Sequence, residues 1–398
     1  MHLKKRAYAA LSTSTFLNGV GSNLQLSIWP FYLKQNNVGD ELYGAISTTT
    51  SLFAILARAA SVKLGSLSES LPFAVALMAS TSMMVIYALL PSPLGIAIGM
   101  TLSAISQALI IVGRTTLVGR DSQSAKLATA FAVLITLGNF GLIVGTILGA
   151  LVFPFSNYLL VFVLGGLICF IGLAAALIWL PRRPVLSRSR FGVVRLSEAS
   201  STLKRFYMAT CLDSFSWSIA SPFFAITPAR IFQVTQDDIA LISTLQFGAA
   251  TATNLIFGAL SDRLWGRKSL LAVSELMGVV TLGIYVAAPS VQPIFISALL
   301  MGLVISSWGP IVSAYVNEAS TSEELHDNVG TWTTLTALVR VPAPLIGGYL
   351  AEHWFPRAPY LVALILVAGT AFYIQKYLQE PESETQNASN NENPQKPI

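Results

Sequence analysis

Residues 158–180 read YLLVFVLGGLICFIGLAAALIWL and contain no Asp, Glu, Lys or Arg. An α-helix rises 1.5 Å per residue, so about 20 apolar residues cross the roughly 30 Å of hydrocarbon in a bilayer. This stretch is long enough to do so. It therefore predicts a membrane-spanning helix, and similar stretches lie on both sides of it.

Composition supports the same interpretation for the whole chain. Of its 398 residues, 54% are hydrophobic and 11% are charged, whereas soluble domains carry about 25% charged residues. The sequence predicts an all-α membrane protein with twelve transmembrane helices. The predicted spans are 8–33, 43–62, 73–90, 94–118, 127–152, 158–180, 206–229, 239–260, 269–288, 293–316, 329–350 and 359–378.

The net charge of +5 raises the alternative of a nucleic-acid partner, and the position of the basic residues argues against it. Most of the 24 Lys and Arg residues lie in segments on the same side of the membrane as the amino terminus; Lys34, Arg230 and Arg357 lie on the other side. This bias is the positive-inside pattern. We therefore expect a multi-pass protein of the cytoplasmic (inner) membrane, with both termini cytoplasmic and the lipid bilayer, not nucleic acid, as its partner.

The spans divide into two sets of six around a basic segment. We predict a six-helix bundle over 1–180, a cytoplasmic linker over 181–204, a second six-helix bundle over 205–380 and a disordered cytoplasmic tail over 381–398. Gly65-Ser-Leu-Ser-Glu69 matches Gly258-Ala-Leu-Ser-Asp262 at the same place in the two halves. Six crossings return the chain to its starting side, so the bundles are expected to be pseudo-symmetric parallel repeats. We expect a monomer.

The loop after the eighth span reads Gly258-Ala-Leu-Ser-Asp262-Arg263-Leu-Trp-Gly266-Arg267-Lys268. Gly258 permits close helix contact and Gly266 a tight turn, while the basic residues hold the loop at the cytoplasmic face. A carboxylate such as Asp262 is stabilised near the positive end of a neighbouring helix. The pattern indicates a structured loop.

This loop resembles the signature cytoplasmic loop of the major facilitator superfamily, G-x-L-x-D-R-x-G-R-K, with one extra residue before the second glycine. The resemblance implies a transporter whose loop holds the cytoplasmic side closed when its cavity faces outward. In the first half Glu69 is kept, but Ser70 and Pro72 replace the basic run. The gate implied by the resemblance comprises Gly258, Asp262, Arg263, Gly266, Arg267, Lys268 and Glu69.

Few ionisable residues lie deep in the spans, and each is costly there unless it has a function or a partner. Asp213 in the seventh span and Arg340 in the eleventh are the main candidates. They are predicted either to couple transport to a solute or proton, or to form a permanent ion pair. Glu275 is a weaker candidate because the resemblance places the ninth span at the periphery. Pro342 and Pro344 predict a bend beside Arg340.

The resemblance implies a cavity lined chiefly by spans 1, 4, 7 and 10. Amide and aromatic side chains in these spans suit an amphipathic organic solute. The same groups also serve to hold helices together, and that alternative stays open. The candidate cavity residues are Asn18, Gln25, Gln107, Trp217, Ser307 and Trp308.

We therefore predict a proton-coupled secondary active transporter of a small organic solute that works by alternating access; the resemblance favours export only through the general habits of the family, and the direction of transport stays open. The alternatives are an uptake symporter or uniporter, and a non-transporting sensor with a transporter fold. No enzyme is expected, because the sequence shows no paired carboxylates, no metal-spaced His and Cys and no nucleophile arrangement. No cofactor or metal is expected.

Overall fold

The computed structural model describes residues 5–119, 124–181, 196, 199–263, 266–320 and 324–380. These residues form fifteen α-helices and two short 3-10 turns, Phe153–Phe155 and Ser221–Phe223, with no β-strand. The helices are α1 (Lys5–Asn23), α2 (Trp29–Gln35), α3 (Asp40–Leu67), α4 (Leu71–Leu89), α5 (Pro93–Gly119), α6 (Ser124–Val152), α7 (Tyr158–Trp179), α8 (Ser201–Ala220), α9 (Ile226–Ile231), α10 (Gln236–Arg263), α11 (Arg267–Ala287), α12 (Gln292–Glu318), α13 (Leu325–Arg340), α14 (Ala343–His353) and α15 (Ala358–Tyr377).

The all-α membrane fold predicted from the sequence is confirmed. Within the described ranges, nine segments are long and apolar enough to cross a membrane. The exact number of twelve crossings stays a prediction, because the first, seventh and eleventh predicted spans are each divided into two helices. The tail over 381–398 and most of the linker over 181–204 lie outside the described residues.

The division of these spans has a local cause. Pro30 lies at the start of α2, and Pro222 lies in the 3-10 turn after α8. Proline has no N–H to donate and its ring clashes with the preceding turn, so a helix ends or kinks beside it. Pro342 and Pro344 divide α13 from α14 immediately after Arg340, as the sequence predicted.

Glycines bring α1 and α6 together in the first half. A Cβ added to Gly141 would lie 2.5 Å from the carbonyl oxygen of Phe16, and one added to Gly145 would meet the carbonyl oxygen of Val20. Real side chains cannot occupy that space, so small residues at this spacing allow backbone contact. This stripe is therefore a packing surface within one half.

The two halves meet at one end of the bundle. We call the end at which α1 begins and α15 finishes the terminal end, and the other the opposite end. At the opposite end α3 packs against α14, and α2 against α9; nearer the middle α6 packs against α10. A Cβ added to Gly44 would lie 3.1 Å from the Cα of Gly348, so α3 and α14 are in backbone contact. The bundle is closed at the opposite end.

Candidate functional site

A cavity of about 730 Å³ lies between the halves. Most of its wall comes from α8, α10, α12 and α13 in the second half. The first half contributes Asn23, Leu26, Trp29, Tyr43 and Leu142. The aromatic residues of the wall are Trp29, Tyr43, Trp217, Phe224, Phe247, Trp308 and Trp332. A volume of this size, with aromatic walls and a few polar groups, is typical of a small-molecule site.

Four of the predicted residues face this cavity: Asp213, Trp217, Trp308 and Arg340. Asp213 and Trp217 lie one turn apart on α8, so they project from the same face of the helix. Arg340 is the last residue of α13, where the proline pair ends the helix. The break that the prolines impose therefore places a cation on the cavity wall.

The other predicted cavity residues, Asn18, Gln25, Gln107 and Ser307, do not line this cavity. Asn18 and Gln25 do not lie on one continuous helix, because α1 ends at Asn23, and Gln25 Nε2 lies 3.9 Å from Met83 Sδ on α4. Gln107 is exposed on α5. Ser307 is buried and pairs its hydroxyl with that of Ser274, 2.8 Å away.

Asp213 and Arg340 lie near each other without forming a salt bridge. Their charges interact, but no N–O distance between these two described side chains falls within 4.0 Å. Arg340 Nε instead donates to Ser218 Oγ at 3.1 Å. Asp213 is only 6% exposed. In this conformation the two groups therefore share the cavity wall without a direct salt bridge.

The structure brings a second carboxyl group to Asp213, although the two carboxylates are not paired in the sequence. Glu275 of α11 is 1% exposed, and its side chain faces Asp213. Neither Oε1 nor Oε2 of Glu275 accepts a hydrogen bond. The sequence signal for Glu275 is an acidic residue deep in an apolar span; the expected peripheral position of the ninth span made it the weaker candidate.

The described part of the signature loop makes contacts within the second half. Arg267 binds Glu318 of α12 through two nitrogens, with Nη2–Oε1 at 2.6 Å. The backbone N–H of Lys268 donates to Glu380 at 3.1 Å. Gly266 has extended backbone angles, and a Cβ there would meet the Glu380 carboxylate. The position therefore does not use the conformational freedom of glycine; it favours a small residue because Glu380 approaches it.

The gate roles of the remaining residues stay predictions. Gly258, Asp262 and Arg263 lie in the last turns of α10, and their side chains fall outside the described part of the chain. Glu69 is 5% exposed in the turn between α3 and α4. The gate that these residues are expected to form therefore stays a prediction.

Charged groups of both halves meet at that opposite end. Arg230 on α9 forms a salt bridge with Asp40 on α3 and donates from Nη2 to the carbonyl oxygen of Val38 at 3.0 Å. The backbone N–H of Asp40 donates to Glu352 at 2.8 Å. The sequence does not pair Asp40 with Arg230 or with Glu352, because these residues are far apart along the chain.

Comparison with known proteins gives the family of the chain. The family model described as the Major Facilitator Superfamily matches residues 11–199 and 206–398. The MFS-type transporter MJ1317 of Methanocaldococcus jannaschii is 24% identical over 362 residues, 87% of this chain and 89% of that protein. The MFS-type transporter YybF of Bacillus subtilis is 24% identical over 147 residues, 36% of each chain. The crystal structure of the nucleoside transporter NupG shares the fold, with a TM-score of 0.71, 14% identity and coverage of 94% of this chain and 98% of that one.

Proposed function

Because the chain belongs to the major facilitator superfamily, we propose that it is a secondary active transporter of a small organic solute, coupled to protons and working by alternating access. One observation supports this most directly. The cavity lies between two halves that meet at the opposite end, where a salt bridge joins them. Rocking of the halves about such a site would expose it to each side in turn.

The wall of the cavity favours an amphipathic solute. Trp217, Trp308 and Trp332 offer flat apolar area on which a ring or an alkyl group packs. Asp213 and Arg340 add one acidic and one basic group to the same wall. A solute with an apolar body and one charged or strongly polar group would use both kinds of contact.

Proton coupling in this proposal rests on Asp213. A proton on its carboxylate removes a negative charge from the neighbourhood of Arg340, and this changes the field that a charged solute meets in the cavity. A ligand shifts a conformational equilibrium only through its different affinity for the two states. Export by antiport is one direction compatible with this coupling. Uptake by symport would use the same groups, and the direction of proton movement distinguishes the two.

The other half of the cycle would close the terminal end. In our proposal this end is cytoplasmic, and Gly258, Asp262 and Arg263 take part in its closure together with Glu69. The contacts of Arg267 and Lys268 within the second half hold the base of that loop. Replacing Asp262 by Asn should then favour the conformation seen here. An unchanged conformational distribution in Asp262→Asn would remove this residue from the gate.

Reconstitution in liposomes tests the function. Solutes are screened for counterflow, and proton movement is recorded with each hit. We expect Asp213→Asn to keep solute exchange and to lose uphill, proton-driven transport, while Asp237→Asn, at an exposed site on α10, behaves as the wild type. Solute flux without proton movement would remove Asp213 as the coupling group. A folded protein that moves none of the solutes would favour the sensor alternative.

A further inference from the structure

Glu275 occupies an environment in which an ionised carboxylate is hard to maintain. Its helix, α11, packs against α12 and α15, and the side chain is 1% exposed. Both of its oxygens lack a hydrogen-bond donor. A buried charge without a partner is strongly destabilising, and such a group normally takes up a proton instead. The burial and the missing donors therefore point to a neutral Glu275.

The position of Asp213 completes this picture. Gly278, one turn beyond Glu275 on α11, packs against the ring of Trp217, one turn beyond Asp213 on α8, so the two helices bring the carboxyl groups together. Two carboxylates would present only acceptors to one another. One proton placed on Glu275 turns the pair into a donor and an acceptor, and the resulting O–H···O⁻ bond is of the strong, charge-assisted kind. Asp213 is the member that lines the cavity and lies near Arg340, so it is the better site for the negative charge.

We propose that Glu275 is a neutral carboxylic acid that donates a hydrogen bond to Asp213 and acts as a positioning residue for proton coupling. The hydrogen bond holds Asp213 as an anion until a proton enters from the cavity. The role in coupling depends on the proposed function, but the protonation of Glu275 does not. Nothing is oxidised or reduced in this step, and the proton taken up by Asp213 comes from water in the cavity.

Other groups around the pair fit this assignment. Among the described charged groups, Glu275 interacts electrostatically with Asp213, and Asp213 interacts with Arg340. Arg340 in turn interacts with Arg58 of α3. The side chains that meet α11 near Glu275 from its two packed helices are uncharged: Ser307 of α12 bonds to Ser274, and Val367 of α15 lies beside Gly278. No described cation is therefore placed to hold Glu275 as an anion.

Infrared difference spectroscopy on the purified full chain tests the protonation without any substrate. We expect the spectrum of the wild type minus that of Glu275→Gln at neutral pH to show the carbonyl band of a protonated carboxylic acid. The difference band should stay in place from mildly acidic to mildly basic pH. A difference spectrum with only carboxylate bands would overturn the proposal, whether or not the protein transports anything.

The pH profile of transport tests the hydrogen bond. Gln at position 275 still donates an N–H and keeps the size of Glu, so Glu275→Gln should retain the wild-type profile. Glu275→Leu fills the space but donates nothing, and the midpoint of its profile should move upward by about one pH unit, a tenfold change in proton affinity, because the Asp213 anion loses its donor. Equal shifts in the two variants would refute the donor role. If the wild type moves no solute, the proposed function fails, and the infrared result still decides the state of Glu275.

Discussion

The salt bridge between Asp40 and Arg230 joins the two halves of the protein at the end opposite the termini. The side chain of Asp40 is 6% exposed and that of Arg230 is 28% exposed, so water only partly weakens their attraction. Glu352 of α14 accepts the backbone N–H of Asp40 and fixes the start of α3 in the same contact. Opening of the cavity on this side requires that these bonds break.

Replacing Asp40 by Asn should therefore populate the open form at the opposite end. A partly buried salt bridge contributes on the order of 1 to 3 kcal/mol. Its loss would change the ratio of the open to the closed form about 5- to 150-fold. Distances between spin labels on α3 and α14, measured by pulsed electron resonance, report this population. Asp237→Asn removes an exposed carboxylate on α10 at the same end and serves as the control. Identical distance distributions in the two variants would show that the salt bridge does not hold the end closed.

Gly348 should act on the same equilibrium by a steric route. A Cβ at position 348 would lie 3.0 Å from the Cα of Glu41 and would also meet the carbonyl oxygen of Asp40. Backbone cannot move aside cheaply, so Gly348→Ala should separate α3 from α14 and lengthen the distance between labels. Gly369→Ala is the matched control, because a Cβ there meets no atom within 4 Å. If Gly348→Ala closes as well as Gly369→Ala does, the backbone contact is not needed for closure.

Trp308 and Gln107 were both predicted to line the cavity, but only Trp308 does so. Trp308 lines the cavity, whereas Gln107 is exposed on α5. Loss of an aromatic wall should cost about 1.4 kcal/mol, so Trp308→Ala should raise the solute concentration for half-maximal counterflow about tenfold. Gln107→Ala should leave that concentration unchanged. If Gln107→Ala raised that concentration more than Trp308→Ala does, the solute would bind outside this cavity.

The ion pair of Arg267 with Glu318 should contribute to the stability of the second half. Its two side chains are 12% and 33% exposed and share three hydrogen bonds, donated by two nitrogens of Arg267. Arg267→Gln is expected to cost about 1 kcal/mol and to lower the midpoint of thermal unfolding by a few degrees. Lys268→Gln keeps the backbone N–H that Glu380 accepts, so its midpoint should match the wild type. Equal midpoints for both variants would show that the pair adds nothing measurable.

Sequence patterns predicted the features of this protein that depend on neighbours along the chain. The apolar length of 158–180 and its counterparts predicted the helical membrane fold, because a helix is the structure in which a single spanning segment of about 20 residues satisfies its own backbone. Pro342 and Pro344 predicted the division of the eleventh span, because a missing N–H acts locally.

Relations between distant segments were decided only by the tertiary structure. Asp213 and Glu275 lie on different helices, and the sequence holds no record of which face of α11 turns toward α8. The same is true of Asp40 with Arg230, and of Gly266 with Glu380. A break of a few residues after Asn23 was enough to turn Gln25 away from the cavity while Trp29 stayed in its wall. Local periodicity fixes which residues share a helix face, but the packing of helices against each other fixes what that face meets.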